Sequence, residues 1–481
     1  MNAFSLLPIL PEVIILAAAS LILLVDLFVT DQRRHVSYWL TQLALLVATC
    51  ATLITLRVTP VKAFHDMVID DMFADFLRIA TFVSVSLTLF YSRSYLAARG
   101  LFRGETFVLT LFSMLGMQIM VTGNNFLTLY LGLELMSLSL YALTASQRDA
   151  PRATEAAMKY FVLGALASGM LLYGLSMVYG ATGLLDIDSV ARAIVSGTGN
   201  TTLLVFGLVF IVSGVAFKLG VVPYHMWVPD VYDGAPTAIT LLIGAAPKLA
   251  TFALMLRLLA GALQGTAFDW QGMLIVLCLL SIVIGNLIAI AQTNIKRMLA
   301  YSTIANMGFM LLGFLTANRY GFSAAMFYTV TYVLTSLASF GIVMLLSRQG
   351  FEADQLEDLK GLNQRSPWWA FIMLLVMFSL AGLPPTVGFY GKFMVIQAAV
   401  NEGFIWLAVV AVVASLVGAF YYLRIVKLMY FDDAVDRSPI VVRGDASVLL
   451  SANGLLLLVL GILPQQLIGL CAIALINSNF P

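Results

Sequence analysis

Residues 202–228 read TLLVFGLVFIVSGVAFKLGVVPYHMWV. This run is longer than the roughly 20 apolar residues that a helix needs to cross a membrane, yet it contains Lys218, followed by Gly220 and Pro223. Glycine and proline weaken or remove helical hydrogen bonds. A helix can break at membrane depth only where protein or water satisfies the freed backbone groups. The segment therefore predicts a membrane helix that breaks beside a buried charge.

The whole chain has the composition of a membrane protein. Of its 481 residues, 61% are hydrophobic and 11% are charged, and the net charge is +1. A soluble domain carries about 25% charged residues, so we expect an all-α integral membrane protein. The near-neutral charge makes nucleic acid an unsuitable partner. The first apolar run, 5–29, is too long for a signal peptide and is predicted to be the first span.

Runs of suitable length predict fourteen spans. They are 5–29, 37–57, 73–92, 105–122, 124–146, 153–180, 202–228, 236–260, 272–292, 297–316, 322–347, 367–399, 405–428 and 447–472. The span at 367–399 is also predicted to break, because it contains Gly382 followed by Pro384 and Pro385.

Loop charges predict the orientation of these spans. With the N-terminus outside, sixteen basic residues fall in inside loops and five in outside loops, which is the bias expected of cytoplasmic loops. We therefore expect both termini on the outside of the membrane. The inside residues are Arg33, Arg34, Arg93, Arg99, Arg103, Arg148, Arg152, Lys296, Arg297, Arg348, Lys360, Arg365, Arg424, Lys427, Arg437 and Arg443, and the outside residues are Arg57, Lys62, Arg192, Arg257 and Arg319.

The chain also carries signs of an internal repeat. The hexapeptide EAAMKY at 155–160 recurs as SAAMFY at 323–328, and the two predicted breaks are offset by a similar distance. Five spans in each copy would make the second copy inverted in the membrane. The predicted divisions are 1–104 (three helices), 105–262 (first repeat), 263–430 (second repeat) and 431–481 (a loop and the last helix). Close packing through small residues is the alternative explanation of the shared pattern.

Four ionisable side chains each interrupt a long apolar run within the predicted spans: Glu134, Lys218, Lys248 and Lys392. A charge at the bilayer centre costs roughly 3 kcal/mol on insertion scales, and such residues commonly serve ions or protons. We therefore expect a row of proton-exchange sites. His225, which follows the first break, is a further candidate because histidine titrates near neutral pH.

Other interpretations of these residues stay open at this stage. Glu134 and Lys218 could form a static ion pair, although buried pairs stabilise poorly compared with apolar packing. Lys248 lies about twelve residues, roughly 18 Å, from the nearest interface, too far for its side chain to reach water. Lys392 is nearer to the end of its span and could extend outward, and His225 could be an ordinary loop histidine.

No cofactor site is expected in this chain. Cys50, Cys278 and Cys471 are scattered singly, without metal-binding or redox spacing. No Gly-rich phosphate loop is present in the sequence.

Three segments carry a family resemblance. The stretches LELMSL at 133–138, FKLGVVPYHMWVPDVYDGAPT at 217–237 and AGLPPTVGFYGKF at 381–393 resemble the antiporter-like membrane subunits of proton-pumping NADH:quinone oxidoreductase, respiratory complex I. The resemblance extends over nearly the whole chain. It implies fourteen helices with two inverted five-helix repeats, each with a discontinuous helix. It further implies that Glu134 and Lys218 form the coupling pair, that Lys248 is the central site and that Lys392 is the exit-side site.

The same resemblance implies the partners and the setting. NADH, FMN, iron–sulfur clusters and quinone would be bound by partner subunits. Neighbouring membrane subunits would include the antiporter-like subunit M and small subunits such as K and J, in a bacterial inner membrane. Two rival functions remain: a subunit of a multisubunit cation/proton antiporter without redox input, and a structural subunit whose internal charges are relics.

Overall fold

The computed structural model describes residues 6–434, 438, 440, 443–478 and 480; Arg437, one of the predicted inside charges, lies outside this part. The regular structure of the described part is mostly helical. Its α-helices are α1 Leu10–Asp26, α2 His35–Thr55, α3 Met72–Ala98, α4 Gly104–Thr122, α5 Phe126–Thr144, α6 Pro151–Thr182, α7 Ile187–Val195, α8 Thr201–Leu219, α9 Trp227–Gly234, α10 Thr237–Gly244, α11 Ala246–Met255, α12 Ala267–Ala291, α13 Ile295–Phe314, α14 Arg319–Leu346, α15 Leu362–Arg365, α16 Pro367–Ala381, α17 Val387–Asn401, α18 Ile405–Phe431, α19 Gly444–Ile462 and α20 Gln465–Ile476.

Smaller elements connect these helices. A two-stranded antiparallel ribbon, β1 Val61–Ala63 and β2 Val68–Asp70, pairs Val61 with Asp70. Single 3₁₀ turns lie at Leu7–Ile9, Asp31–Arg33, Gln264–Thr266 and Leu356–Leu359. A π-helical segment, Leu256–Ala262, extends α11.

The all-α membrane fold is confirmed. In the described part, twelve helical segments are long and apolar enough to cross a membrane. Two predicted spans fall short of that standard: 297–316 corresponds to α13, which carries the polar residues Lys296 and Asn306, and 367–399 is divided into α16 and α17 of 15 residues each. The total of fourteen spans, like the repeat, stays a prediction.

Burial separates central helices from peripheral ones. The segment Thr237–Ala262 is 100% buried over its most apolar window, and α14 is 89% buried, whereas α6 and α18 are each 39% buried. α14 packs against α3, α10, α13, α16, α17, α19 and α20. The central helices are therefore the ones best placed to hold charges away from lipid.

The two predicted breaks are confirmed, and two more were missed. α8 ends at Leu219 and α16 ends at Ala381, as the Gly and Pro signals indicated. The predicted span 236–260 is also interrupted, because Ala245, with φ −112° and ψ −95°, separates α10 from α11. The last span, 447–472, is divided near Pro464 into α19 and α20. Continuous helices at these two places were therefore wrong predictions.

Two buried arginines tie helices together at their ends. Arg78 of α3 is wholly buried and donates to Glu12, Asp70 and Asp75. Arg257, which we predicted in an outside loop, instead lies in the π-helical segment and is only 3% exposed. Its guanidinium makes two hydrogen bonds, of 2.8 and 2.9 Å, to the carboxylate of Asp71. The loop prediction failed because a single charge near a span end does not reveal a partner 186 residues away.

Removal of one member of this pair is expected to be costly. Arg257→Met leaves the Asp71 carboxylate buried without its partner, and breaking a buried pair in this way costs about 3–5 kcal/mol. Lys62→Ala is the matched control, because its pair with Asp188 is largely exposed and such pairs contribute about 0–1 kcal/mol. Thermal unfolding of the purified membrane assembly measures both. Equal effects of the two substitutions would contradict the role of the buried pair.

Candidate functional site

The first helix break is closed by its own backbone. Gly220 adopts φ +78°, and its N–H donates to the Ala216 carbonyl at 2.9 Å. The N–H of Val221 donates to the same carbonyl at 3.1 Å. Glycine in this left-handed conformation is a common helix terminator. The last carbonyls of α8 are left without helical partners and must be satisfied from elsewhere.

The second break has the same geometry 162 positions later. Gly382 adopts φ +80°, and the N–H groups of Gly382 and Leu383 both donate to the Phe378 carbonyl at 2.9 Å. Each break is thus a glycine-terminated helix end inside the protein. Their last carbonyl groups belong to Leu219 and Ala381.

A buried lysine satisfies each of these helix ends. The Nζ atom of Lys248, which is 1% exposed, donates to the Leu219 carbonyl at 2.8 Å and to the Lys218 carbonyl at 3.4 Å. The Nζ atom of Lys392, which is 8% exposed, donates to the Ala381 carbonyl and to Ser415 Oγ, both at 2.9 Å. A cation at a helix C-terminus also interacts favourably with the helix dipole. Lys392 therefore points inward and does not extend toward the membrane surface.

Lys218 itself contacts the helix that carries Glu134. Its Nζ atom donates to Ser137 Oγ at 2.8 Å and approaches the Tyr141 hydroxyl at 3.4 Å. Ser137 and Tyr141 lie one and two turns beyond Glu134 on α5, so the three side chains share a helix face. No carboxylate of the described residues lies within 4.0 Å of Lys218 Nζ. Ser137, rather than Glu134, accepts the ammonium hydrogen bond.

Glu134 has an unused acceptor in this arrangement. Its Oε1 atom is buried and has no hydrogen-bond partner among the described residues. An unsatisfied buried oxygen is costly, and in a native protein it marks a place where a proton, a water molecule or a second conformation has to be considered. Glu134 and Lys218 are thus brought to one helix face without being paired.

A further buried lysine was missed from the sequence. Lys296 is 3% exposed, and its Nζ atom donates to the Ala235 carbonyl at 2.9 Å, just beyond the end of α9. The sequence predicts an inside loop at this position, because Lys296 lies just before a predicted span. It makes the same type of contact as Lys248 and Lys392, a lysine at a helix C-terminus. The only sequence signal was its position two residues after Asn294, the residue that caps α13.

His225 remains isolated from the lysines. Its Nδ1 atom is buried without a hydrogen-bond partner, and within the described residues its ring makes no hydrogen bond to Lys218 or Lys248. The main chain of Lys218, not this ring, lies in contact with Lys248.

Acidic residues after the first break are paired with distant basic residues. Asp230 accepts from Lys159 at 2.8 Å and from Arg297 at 3.0 Å. Asp233 accepts from Asn294 at 3.0 Å. Asp230, Asp233, Lys159 and Arg297 line a cavity of about 210 Å³. The sequence around Asp230 and Asp233 contains no lysine or arginine from 219 to 247, and their partners come from α6 and from the start of α13.

Comparison with known proteins identifies the family. Residues 123–418 match the family model described as NADH:quinone oxidoreductase/Mrp antiporter, TM, which is more than half of the chain. The chain belongs to this family. The matched segment contains Glu134, all four buried lysines and both glycine-terminated breaks.

Close relatives agree with this assignment. A protein of Methylovorus glucosotrophus named NADH-quinone oxidoreductase subunit N is 58% identical over 98% of this chain and 97% of its own length. A protein of the same name from Nitrosomonas europaea is 54% identical over 98% of both chains. The predicted resemblance to this family is confirmed.

Solved structures share the fold. A chain of respiratory complex I from Thermus thermophilus is 32% identical, with a TM-score of 0.82 over 96% of this chain and 99% of its own length. A chain of the Mrp complex from Dietzia sp. has a TM-score of 0.84 at 22% identity over 99% of this chain and 98% of its own, which shows a shared fold only.

The buried arginines and the buried lysines of this chain differ in the partners that they hold. Arg78 and Arg257 each hold at least one carboxylate. In contrast, Lys218, Lys248, Lys296 and Lys392 hold only carbonyl or hydroxyl oxygens among the described residues. An arginine stays charged in proteins, whereas a lysine can lose its proton when buried. The arginines therefore have the chemistry of fixed structural charges, and the lysines that of exchangeable ones.

The close packing around Gly220 at the first break can be tested by substitution. A Cβ atom on Gly220 would lie 2.5 Å from Val228 Cγ2, whereas one on Gly183, which has a similar φ of +72°, would meet nothing within 4 Å. Each alanine costs about 1–2 kcal/mol for left-handed backbone. We expect Gly220→Ala to lower the thermal midpoint of the assembly clearly more than Gly183→Ala, because only Gly220→Ala adds a clash. Equal midpoints would contradict the packing described for the break.

Proposed function

We propose that this chain is a proton-translocating membrane subunit of NADH:quinone oxidoreductase. It moves protons through a buried row that begins at Glu134 and Lys218 and continues through Lys248 to Lys392. The observation that carries this proposal is the pair of helix breaks whose last carbonyls are held by lysines without carboxylate partners. The chain's membership of the family and the names of its relatives support the assignment to this complex.

Redox chemistry is assigned to partner subunits. NADH oxidation and quinone reduction, with FMN and iron–sulfur clusters, take place outside this chain, which supplies only proton transfer. The neighbours proposed are subunit M and small subunits such as K and J. The membrane is the bacterial inner membrane, with both termini on the periplasmic side.

The proposed switch begins at α5. Two acceptors on one helix face compete for Lys218, besides the more distant Tyr141 hydroxyl at 3.4 Å. They are the Ser137 hydroxyl, which Lys218 contacts, and the Glu134 carboxylate, which has an oxygen without a partner among the described residues. Movement of the ammonium from Ser137 to Glu134 would strengthen its hold on its proton, because a nearby opposite charge favours the ionised form. Movement back would weaken that hold. A change of charge beside Glu134 thus becomes a change in the proton affinity of Lys218.

In the next step, the charge on Lys218 acts on Lys248 through the Coulomb interaction between them. The Lys218 carbonyl already lies 3.4 Å from Lys248 Nζ, so the two residues share one helix end. Two charges about 8 Å apart interact by roughly 2 kcal/mol at an effective dielectric constant near 20. Moving one charge against about 150 mV costs roughly 3.5 kcal/mol. Since one such interaction is too small, several coupled groups are needed, and Lys392 provides a further one.

A subunit of a cation/proton antiporter without redox input is the second candidate. The shared fold with a chain of the Mrp complex favours it, but the subunit N relatives are far more similar in sequence. Co-purification with NADH-oxidising subunits supports the first function. Sodium-dependent flux through the isolated chain, without such partners, would support the second.

Replacing Lys248, the proposed central site, with arginine tests whether this residue must release its proton. Lys248→Arg keeps a positive charge that cannot be released, so we expect NADH-driven proton uptake by everted membrane vesicles to fall at least tenfold in a complex that still assembles. Lys159→Arg is the matched control, because Lys159 is 42% exposed and pairs with Asp230. Pumping at the normal proton-to-electron ratio in Lys248→Arg would show that a fixed charge suffices and would refute the proposal.

The competing acceptor on α5 can be removed separately. Ser137→Ala deletes the oxygen that Lys218 contacts, and a hydrogen bond to a charged group is worth about 1.5–3 kcal/mol. The ammonium should then stay with Glu134, so proton uptake should slow about tenfold or more while the assembled amount is unchanged. Ser139→Ala is the control, because among the described residues Ser139 hydrogen-bonds only to the Leu135 carbonyl of its own helix. Unchanged pumping in Ser137→Ala would exclude the two-acceptor switch.

A further inference from the structure

Four ionisable side chains lie together at the end of α3 that loop charges place outside the membrane. Arg78 of α3 contacts Glu12 of α1, Asp70 of β2 and Asp75 of α3. Arg78 and Asp75 are 0% exposed, Asp70 is 1% exposed and Glu12 is 6% exposed. We call these four residues the Arg78 cluster. It has no part in the proposed proton path.

The guanidinium of Arg78 has no donor left for a further oxygen. Its Nε donates to Glu12 Oε1 at 3.2 Å, and its Nη2 donates to the same oxygen at 2.8 Å and to the Pro8 carbonyl at 2.7 Å. Its Nη1 donates to Asp70 at 2.5 Å and to Asp75 at 3.0 Å. These bonds use all of the N–H groups that an arginine has. Nevertheless, Oε2 of Glu12 and Oδ2 of Asp75 are buried and have no hydrogen-bond partner among the described residues.

The Arg78 cluster carries more negative than positive charge. Three carboxylates against one guanidinium leave an excess of two negative charges. Glu12 and Asp75 lie in the first turns of α1 and α3, and each helix N-terminus supplies about half a positive charge. About one negative charge therefore stays uncompensated in a buried place. A buried group in that position commonly becomes neutral rather than staying charged.

The neighbouring elements do not supply the missing positive charge. Asp71 and Arg257, which lie beside the cluster, neutralise each other. From α4, the neutral Thr122 hydroxyl approaches Glu12 Oε1 at 3.5 Å. In the described part of the chain, no three His, Cys, Asp or Glu side chains are arranged to hold a metal ion. The charged groups that face one another here are Glu12, Asp70, Asp71, Asp75, Arg78 and Arg257.

We propose that the Arg78 cluster binds one proton, carried by Asp75 beside an ionised Asp70, and that this proton holds α1 and the β1–β2 ribbon to α3. The two aspartates accept from the same Nη1 atom, so their carboxyl groups are neighbours. Two carboxylates that share one site do not readily both ionise. Asp70 lies nearer to the guanidinium, whereas Asp75 has the oxygen without a partner. Asp75 is therefore the group that takes the proton.

The proposed proton makes this attachment sensitive to pH. Burial raises the pKa of the Asp70 carboxyl, and Arg78 offsets only part of that rise. An acid whose pKa is raised by folding stabilises the folded state at low pH, and this contribution is lost as the pH rises through the raised pKa. Alkaline buffer removes the proton and restores the excess negative charge, so it should loosen α1 and the ribbon.

Replacing Asp75 with asparagine tests the proton. Asparagine has nearly the shape of protonated aspartic acid and cannot ionise. The complete purified complex is heated and centrifuged, and the amount of this chain left in solution gives its thermal midpoint. We expect Asp75→Asn to keep the wild-type midpoint near neutral pH and to lose the fall that the wild type shows in alkaline buffer.

Asp71→Asn is the matched control. Asp71 binds Arg257 through two hydrogen bonds, of 2.8 and 2.9 Å, and so needs its charge. Its neutral replacement leaves a buried guanidinium without its partner. We expect this variant to lower the midpoint by about 2 °C or more, both near neutral pH and in alkaline buffer.

Infrared spectroscopy gives a second measurement that does not depend on stability. A protonated carboxyl group has a carbonyl stretching band that an ionised carboxylate lacks. The difference spectrum between the wild type and Asp75→Asn should contain this band near neutral pH and lose it in alkaline buffer. The difference spectrum for Asp71→Asn should contain carboxylate bands alone.

Three outcomes would overturn the proposal. An Asp75→Asn complex that fails to assemble, or that is as unstable as Asp71→Asn, would show that Asp75 is ionised. Carboxylate bands alone in the Asp75→Asn difference spectrum would leave water as the partner of the buried oxygens. A higher midpoint in sodium chloride than in choline chloride of equal ionic strength, lost in Asp75→Asn, would make the cluster a site for a metal cation instead.

Discussion

A helix that ends inside a membrane leaves carbonyl groups that water cannot reach, and this protein satisfies them with lysine side chains. A buried polar group without a partner costs about 1–3 kcal/mol, and a hydrogen bond to a charged group contributes about the same amount. Lys248 at Leu219 and Lys392 at Ala381 are two instances of one solution. The dependence is mutual. The carbonyl groups at the breaks need the ammonium groups as hydrogen-bond donors. The ammonium groups can be buried only because the breaks provide carbonyl oxygens at the negative ends of helix dipoles.

The choice of basic residue divides structural charges from exchangeable ones. Arg78 is surrounded by three carboxylates, and Arg257 binds Asp71 through two hydrogen bonds. Guanidinium groups with such partners have no means of releasing a proton. The lysines have neutral acceptors, so loss of a proton leaves no uncompensated carboxylate beside them. In the proposed function, the lysines carry protons and the arginines hold helices together, so the two tasks use different residues.

Local signals in the sequence predicted the breaks and the charges beside them. Gly220 and Gly382, each followed by proline, mark their breaks directly, and Lys218 stands out in an apolar run. The break at Ala245 was missed, because Pro247 is tolerated at the start of a new helix and gives no sign of where the preceding helix ends. Contacts between residues that are far apart in the sequence are indicated even less by local sequence signals.

The oxygen atoms that accept hydrogen bonds from the buried lysines show most clearly what local sequence signals do not reveal. Ser137 donates to Leu133 of its own helix, as serine in an apolar helix commonly does, and nothing in the sequence indicates that it also accepts from Lys218. Lys296 has the sequence context of a loop charge, and only the position of Ala235 shows it to be buried at a helix end. Sequence patterns thus locate unusual residues, whereas partners 61 or 81 positions away depend on helix packing.

The two breaks are alike in backbone but not in charge. Lys218 lies two residues before Gly220, and the equivalent position before Gly382 is Leu380, which is buried. The first break therefore holds two lysines, one on the helix that ends there and one that binds its last carbonyl, whereas the second holds one. Two ammonium groups at one helix end repel each other, so the proton on one lowers the affinity of the other for its own. This coupling between two lysines is present at the first break and not at the second, which is the reason for placing the proposed switch at Glu134 and Lys218 and not at Lys392.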